Sequence, residues 1–284
     1  MPSHPVLSAL IISIAMVATN VCAQPVVVLD AGHEPAHPGA IASCGKQEMF
    51  YNDAVVSALA DELGEYHLLL TRKPQADVPV ANKLQAYLSQ QAKQKWLGHE
   101  SLYARAAIAN ENKADVFISI HHDATAEHWQ ISDGRLCKGD GGIKLSPVFK
   151  QRYQIGFNIF INNDKPEPCR SKSLQLAEQI AKGLQALGRH VSDYHQDDCL
   201  SCRSVNAKLG IWHQDLAVLR EAAMPAVLIE VGTIVDVEDE ALIATAAFRK
   251  QFAQVVKTAL AAYFAAKPLG KQKEAGAYSA CFFL

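Results

Sequence analysis

The chain has 284 residues, of which 49% are hydrophobic and 20% are charged, and its formal net charge is −2. This length and composition predict one globular domain with a sizeable core. Because a near-neutral chain has no basic footprint for phosphates, nucleic-acid binding is excluded as its main role.

The first 23 residues have the pattern of a secretory signal. Residues 6–18 are apolar apart from Ser8 and Ser13, and Val21-Cys22-Ala23 supplies small residues before a cut at Gln24. The apolar run is short for a membrane span of about 20 residues, so we expect cleavage rather than anchoring. The pattern predicts an exported protein, periplasmic or extracellular, that keeps no membrane span.

The next predicted element is a buried strand at Val26-Val27-Val28-Leu29, since four apolar residues in a row are typical of a parallel sheet that is covered on both faces. His33 follows at its C-terminal edge, where open α/β sheets bind ligands. A loop containing His37 leads to Glu48, which begins a helix predicted to run to about Glu65.

Two further predicted strands are followed by an imidazole and a carboxylate. The short strand at residues 67–70 is followed by Arg72, which we expect to be exposed. His121 follows the apolar run at residues 116–120, and Glu230 follows the run at residues 226–229. Side chains alternate along a strand, so His121 and His122 should point apart, and the register assigns His121 to the site. Helices are predicted at residues 102–113, 171–187 and 239–265, and residues 197–211 are predicted to be an irregular loop.

Two imidazoles and a carboxylate form a common catalytic zinc set that leaves a fourth position for water. A second carboxylate can take the proton from that water. His33, Glu48, His121 and Glu230 supply these groups. Glu230 could instead be a fourth zinc ligand, but a closed set would leave no general base.

The segments that carry these residues resemble, in order, the zinc-dependent N-acetylmuramoyl-L-alanine amidases that trim bacterial peptidoglycan. They are VVVLDAGHEPAHPGAI, the Glu of GKQEMFYND, LLLTR, ARAAIANENKADVFISIHHDA and LAVLREAAMPAVLIEVGTI. The resemblance implies that His33, Glu48 and His121 bind zinc and that Glu230 is the catalytic carboxylate. The implied reaction is hydrolysis of the amide between N-acetylmuramic acid and L-alanine.

The expected fold is a single α/β domain over residues 24–266, a mostly parallel twisted sheet with helices on both faces. A helical insertion at about residues 73–101 departs from the family, and it would be a surface helix, a cover over the groove or the docking point of a protein activator. Residues 267–284 form a C-terminal tail. His37 stands where the family usually has an acidic residue, and His37 and Arg220 are candidate substrate contacts.

Six cysteines remain after signal cleavage: Cys44, Cys137, Cys169, Cys199, Cys202 and Cys281. An even number in an exported chain predicts disulfides, although the sequence leaves their pairing open. Cys199 and Cys202 could instead be half of a zinc knuckle or a redox pair. The sequence has no second pair of this spacing, which favours disulfides.

Two other functions share these features. One is a catalytically inactive module that only binds peptidoglycan, against which the complete ligand set argues. The other is a zinc peptidase that acts on the stem peptide, and only its products would separate it from an amidase.

Overall fold

The computed structural model describes residues 23–73, 100–124, 154–197, 199 and 201–266. The predicted signal segment, most of the insertion at residues 73–101 and the C-terminal tail lie outside the described residues, as do Cys22, Cys137 and Cys281. Among the described residues, no helix combines the length and apolarity needed to cross a membrane.

The strands are β1 (Val26–Ala31), β2 (His67–Leu70), β3 (Val116–Asp123), β4 (Asn158–Ile161), β5 (Arg203–Asn206), β6 (Ile211–His213) and β7 (Ala226–Thr233). The helices are α1 (Glu48–Glu62), α2 (Glu100–Glu111), α3 (Cys169–Ala186), α4 (Tyr194–Asp197), α5 (Ala217–Glu221), α6 (Val237–Ile243) and α7 (Ala246–Ala265).

The strands form one sheet in the order β2-β1-β3-β7-β4-β6-β5. Strands β2, β1, β3 and β7 run parallel, whereas β4 is antiparallel to β7. Parallel strands put their carboxyl ends at one edge, so the residues that end β1, β3 and β7 meet there. The predicted α/β fold with a mostly parallel sheet is confirmed.

Alternation along the strands divides the core into two layers. Val27 and Leu29 of β1 join the larger cluster, which α1, α3 and α7 cover, whereas Val28 joins a second cluster with residues of α2 and α5. All three side chains are fully buried. A strand with both faces covered must be apolar at successive positions, which is why β1 has a continuous apolar run.

Three elements differ from the sequence prediction. Strand β3 continues past its apolar run to Asp123, so His121 lies inside the strand, where it is the direct partner of Glu230 in β7. The predicted closing helix at residues 239–265 is two helices, because Thr245 caps the second one by accepting a hydrogen bond from the Phe248 amide. The predicted loop at residues 197–211 contains β5.

Candidate metal centre

His33, Glu48 and His121 come together at the carboxyl edge of the parallel strands. One carboxylate oxygen of Glu48 lies 2.9 Å from His33 Nε2, and the other lies 3.2 Å from His121 Nδ1. One potential ligand atom from each residue lies within 4.8 Å of the other two. Two imidazoles and one carboxylate at this separation suit zinc, which takes nitrogen and oxygen ligands at about 2.0–2.2 Å.

The Glu48 carboxylate is buried and held from several sides. It accepts hydrogen bonds from the backbone amides of Ala40 and His122, each at 3.1 Å, and from Asn52 Nδ2 at 3.3 Å. Burial on its own would raise the pKa of Glu48, but hydrogen bonds from His121 and His33 hold it well below the usual range. The carboxylate is therefore ionised at neutral pH, as a zinc ligand must be.

His33 stands on a turn with a left-handed backbone (φ 63°), which is uncommon for a residue other than glycine. Two buried arginines hold this turn by its carbonyl groups. Arg105 donates to the carbonyls of Ala31 at 2.8 Å and His33 at 2.7 Å, and Arg72 donates to those of Ala31 at 2.8 Å and Gly32 at 3.0 Å. The expectation that Arg72 is exposed is wrong, because its guanidinium is buried against Asp53 and this turn.

The orientation of the His33 ring leaves one nitrogen for a metal. Its Nδ1 lies 3.2 Å from the carbonyl oxygen of His37. A hydrogen on Nδ1 that is donated there would leave the Nε2 lone pair for a metal, which would then replace the contact of Nε2 with Glu48. His37 thus reaches the site through its backbone, while its side chain is exposed.

Two glycines give these side chains room. A Cβ added to Gly32 would lie 2.2 Å from His121 Nε2, and one added to Gly39 would lie 2.4 Å from Glu48 Oε2. Gly39 also has φ 80°, which glycine adopts most easily. The space that these missing side chains leave is filled by the candidate ligands, so the local backbone fits the proposed metal centre.

Asn52 and His122 support the centre and were missed by the sequence reasoning. Asn52 lies one helical turn after Glu48 and accepts a hydrogen bond from His122 Nδ1 at 2.7 Å. Burial lowers the pKa of His122 to about 3, so its imidazole is neutral and can act as this donor. The spacing of four residues between Glu48 and Asn52 in a predicted helix was the available signal.

Glu230 lies beside this group, on the strand next to His121. Its Oε2 is buried and has no hydrogen-bond partner among the described residues. Burial and the neighbouring carboxylates of Asp123 and Glu48 raise its pKa well above the usual value. A carboxyl that has a raised pKa and one buried oxygen without a hydrogen-bond partner is typical of proton-transfer sites.

Arg220, the other candidate substrate contact, lies in α5. Its guanidinium is 3.0 Å from both Asp215 and Glu221, and it is partly exposed. Asp215, Glu221 and Tyr103 are its recorded side-chain partners, and none of them is a candidate metal ligand.

Comparison with known proteins finds relatives whose sequences match nearly the whole domain. A family model described as N-acetylmuramoyl-L-alanine amidase matches residues 27–262. Over 259 residues the chain is 26% identical to the probable N-acetylmuramoyl-L-alanine amidase AmiB of Haemophilus influenzae, with 87% of this chain and 54% of that protein covered. It is 24% identical over 250 residues to the Escherichia coli amidase AmiA, with 84% and 76% covered. The chain spans about half the length of AmiB and of the similar amidase AmiC of Neisseria meningitidis.

Solved structures show the same fold. The catalytic domain of the amidase CwlV from Bacillus (Paenibacillus) polymyxa superimposes with a TM-score of 0.55 at 23% identity, covering 86% of this chain and 99% of that one. An N-acetylmuramoyl-L-alanine amidase from Clostridium difficile gives a TM-score of 0.57 at 20% identity, covering 87% and 100%.

Proposed function

Because the chain belongs to the N-acetylmuramoyl-L-alanine amidase family, we propose that it hydrolyses the amide bond between N-acetylmuramic acid and L-alanine in bacterial peptidoglycan. The observation that carries this proposal is the convergence of His33, Glu48 and His121 beside the carboxyl group of Glu230, one oxygen of which is buried without a partner. The first three residues would hold one zinc ion, and Glu230 would move the proton.

The donor set supports zinc as the metal. Imidazole nitrogen and carboxylate oxygen are its usual ligands in hydrolytic enzymes, and three protein ligands leave a position for water or substrate. When bound, zinc acidifies a water molecule and polarises a carbonyl group as a Lewis acid.

Glu230 is the proposed general base. It accepts the proton of the attacking water and passes it to the leaving amine of L-alanine. Burial and the neighbouring carboxylates raise its pKa above the usual value, which makes the carboxylate a stronger base toward the proton of water. Oε2 has no hydrogen-bond partner among the described residues, so its capacity to accept a hydrogen bond is not already used.

An exported location, periplasmic or extracellular, is part of the proposal. It is supported by the signal pattern of residues 1–23 and by the disulfide between Cys199 and Cys202. Cys44 and Cys169 are also disulfide-bonded. Disulfides persist in oxidising compartments, where peptidoglycan is also found. A protein activator that docks on residues 73–101 remains a prediction from the sequence.

Digestion of purified peptidoglycan with the zinc-loaded protein tests the function. We expect mass spectrometry to find stem peptides that begin with L-alanine, together with glycan strands that have lost them. Cleavage inside the stem peptide would identify a peptidase instead. Retention of the protein on intact, uncleaved peptidoglycan would identify a binding module.

A further inference from the structure

A second cluster of potential metal-ligating side chains shares no residue with the candidate zinc centre. His195, Cys199 and Cys202 each place one ligand atom within 4.8 Å of the others, and all three residues are partly buried. Among the described residues, this cluster and the set of His33, Glu48 and His121 are the two groups of this kind. We propose that His195, Cys199 and Cys202 bind one zinc-like divalent ion when the disulfide between the cysteines is reduced.

The imidazole of His195 is oriented as a metal ligand would be. Its Nε2 lies 2.7 Å from a carboxylate oxygen of Asp123, so the ring hydrogen belongs on Nε2. The Nδ1 lone pair then faces Cys202, whose Sγ lies 3.9 Å away. A carboxylate that fixes the ring through its far nitrogen is the usual support of a metal-binding histidine.

The distances fit a tetrahedral ion. Nitrogen and sulfur ligands at about 2.1 and 2.3 Å from a tetrahedral zinc are about 3.6 Å apart. The separation of 3.9 Å between His195 Nδ1 and Cys202 Sγ is close to this value. In the disulfide-bonded form the two atoms are thus already close to the spacing that one metal ion requires, and rotation of the Cys202 side chain after reduction can adjust it without movement of the ring.

The His195 ring is held in this orientation by packing. It contacts Phe160 edge to face with the ring centres 5.0 Å apart, and Tyr194 at 5.2 Å. The side chains of His195 and Asp123 are 12% and 9% exposed. Because the ring is fixed before any ion arrives, binding requires little additional ordering of His195.

The cysteines are joined in the described structure, so the site depends on reduction. Their Cα atoms lie 5.3 Å apart, and the Cys202 amide donates to the Cys199 carbonyl at 3.1 Å, which forms a tight turn. Rotation of the two side chains can separate the sulfurs to the roughly 3.7 Å that two zinc–sulfur bonds require. The backbone turn can stay as it is.

Reduction proceeds by thiol–disulfide exchange with a dithiol. One thiolate of the reductant attacks a cysteine sulfur, and its second thiolate resolves the mixed disulfide, so that the reductant leaves as its own disulfide. The chain gains two electrons and two protons as a pair of thiols. Both protons leave when the thiolates bind the metal.

The two sites differ in ligand chemistry, and this makes the proposal independent of the amidase reaction. Thiolates favour softer ions, whereas the set of His33, Glu48 and His121 offers only nitrogen and oxygen. Thiolate ligands also give bound Co²⁺ an intense sulfur-to-metal absorption band in the near ultraviolet, which nitrogen and oxygen ligands do not produce. The two sites can therefore be distinguished by spectroscopy.

Titration with Co²⁺ tests the proposal on the purified protein, oxidised or reduced with dithiothreitol that is then removed. We expect the reduced protein to bind roughly one more Co²⁺ than the oxidised protein, with the sulfur band. The double variant C199S/C202S, reduced in the same way, controls for the other cysteines and should lack both. An equally strong band in this variant, or no band in the reduced wild type, would overturn the proposal.

A second variant tests the contribution of His195. His195→Ala in the reduced protein should weaken this Co²⁺ binding at least tenfold and keep a weaker sulfur band. His67→Ala, an exposed histidine on the edge strand β2, is the matched control and should change nothing. Unchanged Co²⁺ affinity in His195→Ala would show that His195 is not a ligand and would contradict the proposed site.

Discussion

At the scale of single residues, Glu230 is proposed to transfer the proton and is not one of the proposed metal ligands. Glu230→Gln keeps the shape and removes the basicity, so we expect zinc to be retained and the rate to fall by about 10²–10⁴-fold. Zinc content and the rate of release of stem peptides measure the two effects. Glu178→Gln, which changes a partly exposed carboxylate of α3 that pairs with Lys182, should leave both unchanged. Near-normal activity in Glu230→Gln would refute the role.

A second prediction concerns Gly39, where a side chain would displace the ligands. Gly39→Ala places a methyl group 2.4 Å from Glu48 Oε2 and 2.6 Å from His33 Cδ2. We expect zinc binding to weaken by about 10–100-fold, as for other changes around metal ligands. Calorimetric titration of the metal-free protein with zinc measures the affinity.

The matched control is Gly188→Ala. Gly188 has φ 81°, nearly the same as Gly39, but no atom lies within 4 Å of its added Cβ. Both variants should lose about 1–2 kcal/mol of unfolding free energy to the left-handed backbone. Equal zinc affinity in the two variants would show that the space beside Gly39 does not matter to the centre.

The residues of the centre that could be predicted from the sequence are those at strand ends and helix starts. His33, His121 and Glu230 follow apolar runs, and parallel strands bring such positions to one edge. Asn52 was missed because its contact with Glu48 looks like any pair spaced by four residues on a helix. The burial of Arg72 was also missed, since it depends on Asp53 of α1 and a turn 40 residues earlier in the chain.

At the scale of elements, a buried carboxylate ties β1 to its neighbours. Asp30 accepts hydrogen bonds from Ser119 of β3 at 2.6 Å, from Thr71 after β2, and from Arg105 of α2 at 2.8 Å. Burial alone would raise its pKa, but Arg105 and the two hydroxyls bring it below the usual value. The charged form is therefore the one that holds these elements together beneath the metal centre.

This arrangement predicts how stability depends on pH. Because the pKa of Asp30 is lowered on folding, its contribution is present above the unfolded value of about 3.9 and is lost as the pH falls through the folded value. Ser119→Ala should lower the free energy of unfolding by about 1–3 kcal/mol at pH 7. The difference from the wild type should shrink only as the pH falls through the folded pKa of Asp30, which lies below the ordinary value.

Urea unfolding at several pH values measures this difference, and Ser173→Ala is the control. Ser173 is also buried, but its hydroxyl accepts from the neutral backbone amide of Ala226 at 3.0 Å. Loss of the Ser173 hydroxyl should lower the free energy of unfolding by the same amount at every pH. A Ser119→Ala penalty that stays constant as the pH is lowered until the wild type itself unfolds would contradict the charged role of Asp30.

Element boundaries could be predicted where apolar residues recur at helical spacing over many residues. They could not be predicted where a capping side chain or strand pairing sets the boundary. The helix at residues 171–187 was predicted from its apolar stripe, and the structure has it at Cys169–Ala186. The break between α6 and α7 depends on capping by the Thr245 side chain. The spacing of the apolar residues does not change at this position, so it did not reveal the break. The antiparallel placement of β4 beside β7 follows from long-range pairing that local sequence does not encode.

At the scale of the whole molecule, the parallel strands explain why distant residues form one centre. The three candidate ligands and Glu230 are spread over almost 200 positions, yet β1, β3 and β7 are neighbours in the sheet and α1 starts at the same edge. The family model extends over the described domain as a whole. The proposed chemistry is therefore a property of the complete sheet rather than of a local motif.

The most direct test of the proposed amidase reaction is digestion of purified peptidoglycan by the zinc-loaded protein in water enriched in ¹⁸O. Hydrolysis at the proposed bond puts the label on the lactyl carboxylate of N-acetylmuramic acid and leaves the released peptide with an unlabelled amino-terminal L-alanine. We predict this pattern in the wild type and its near absence in Glu230→Gln. Label in a carboxylate of the stem peptide, with none on the lactyl group, would contradict the account.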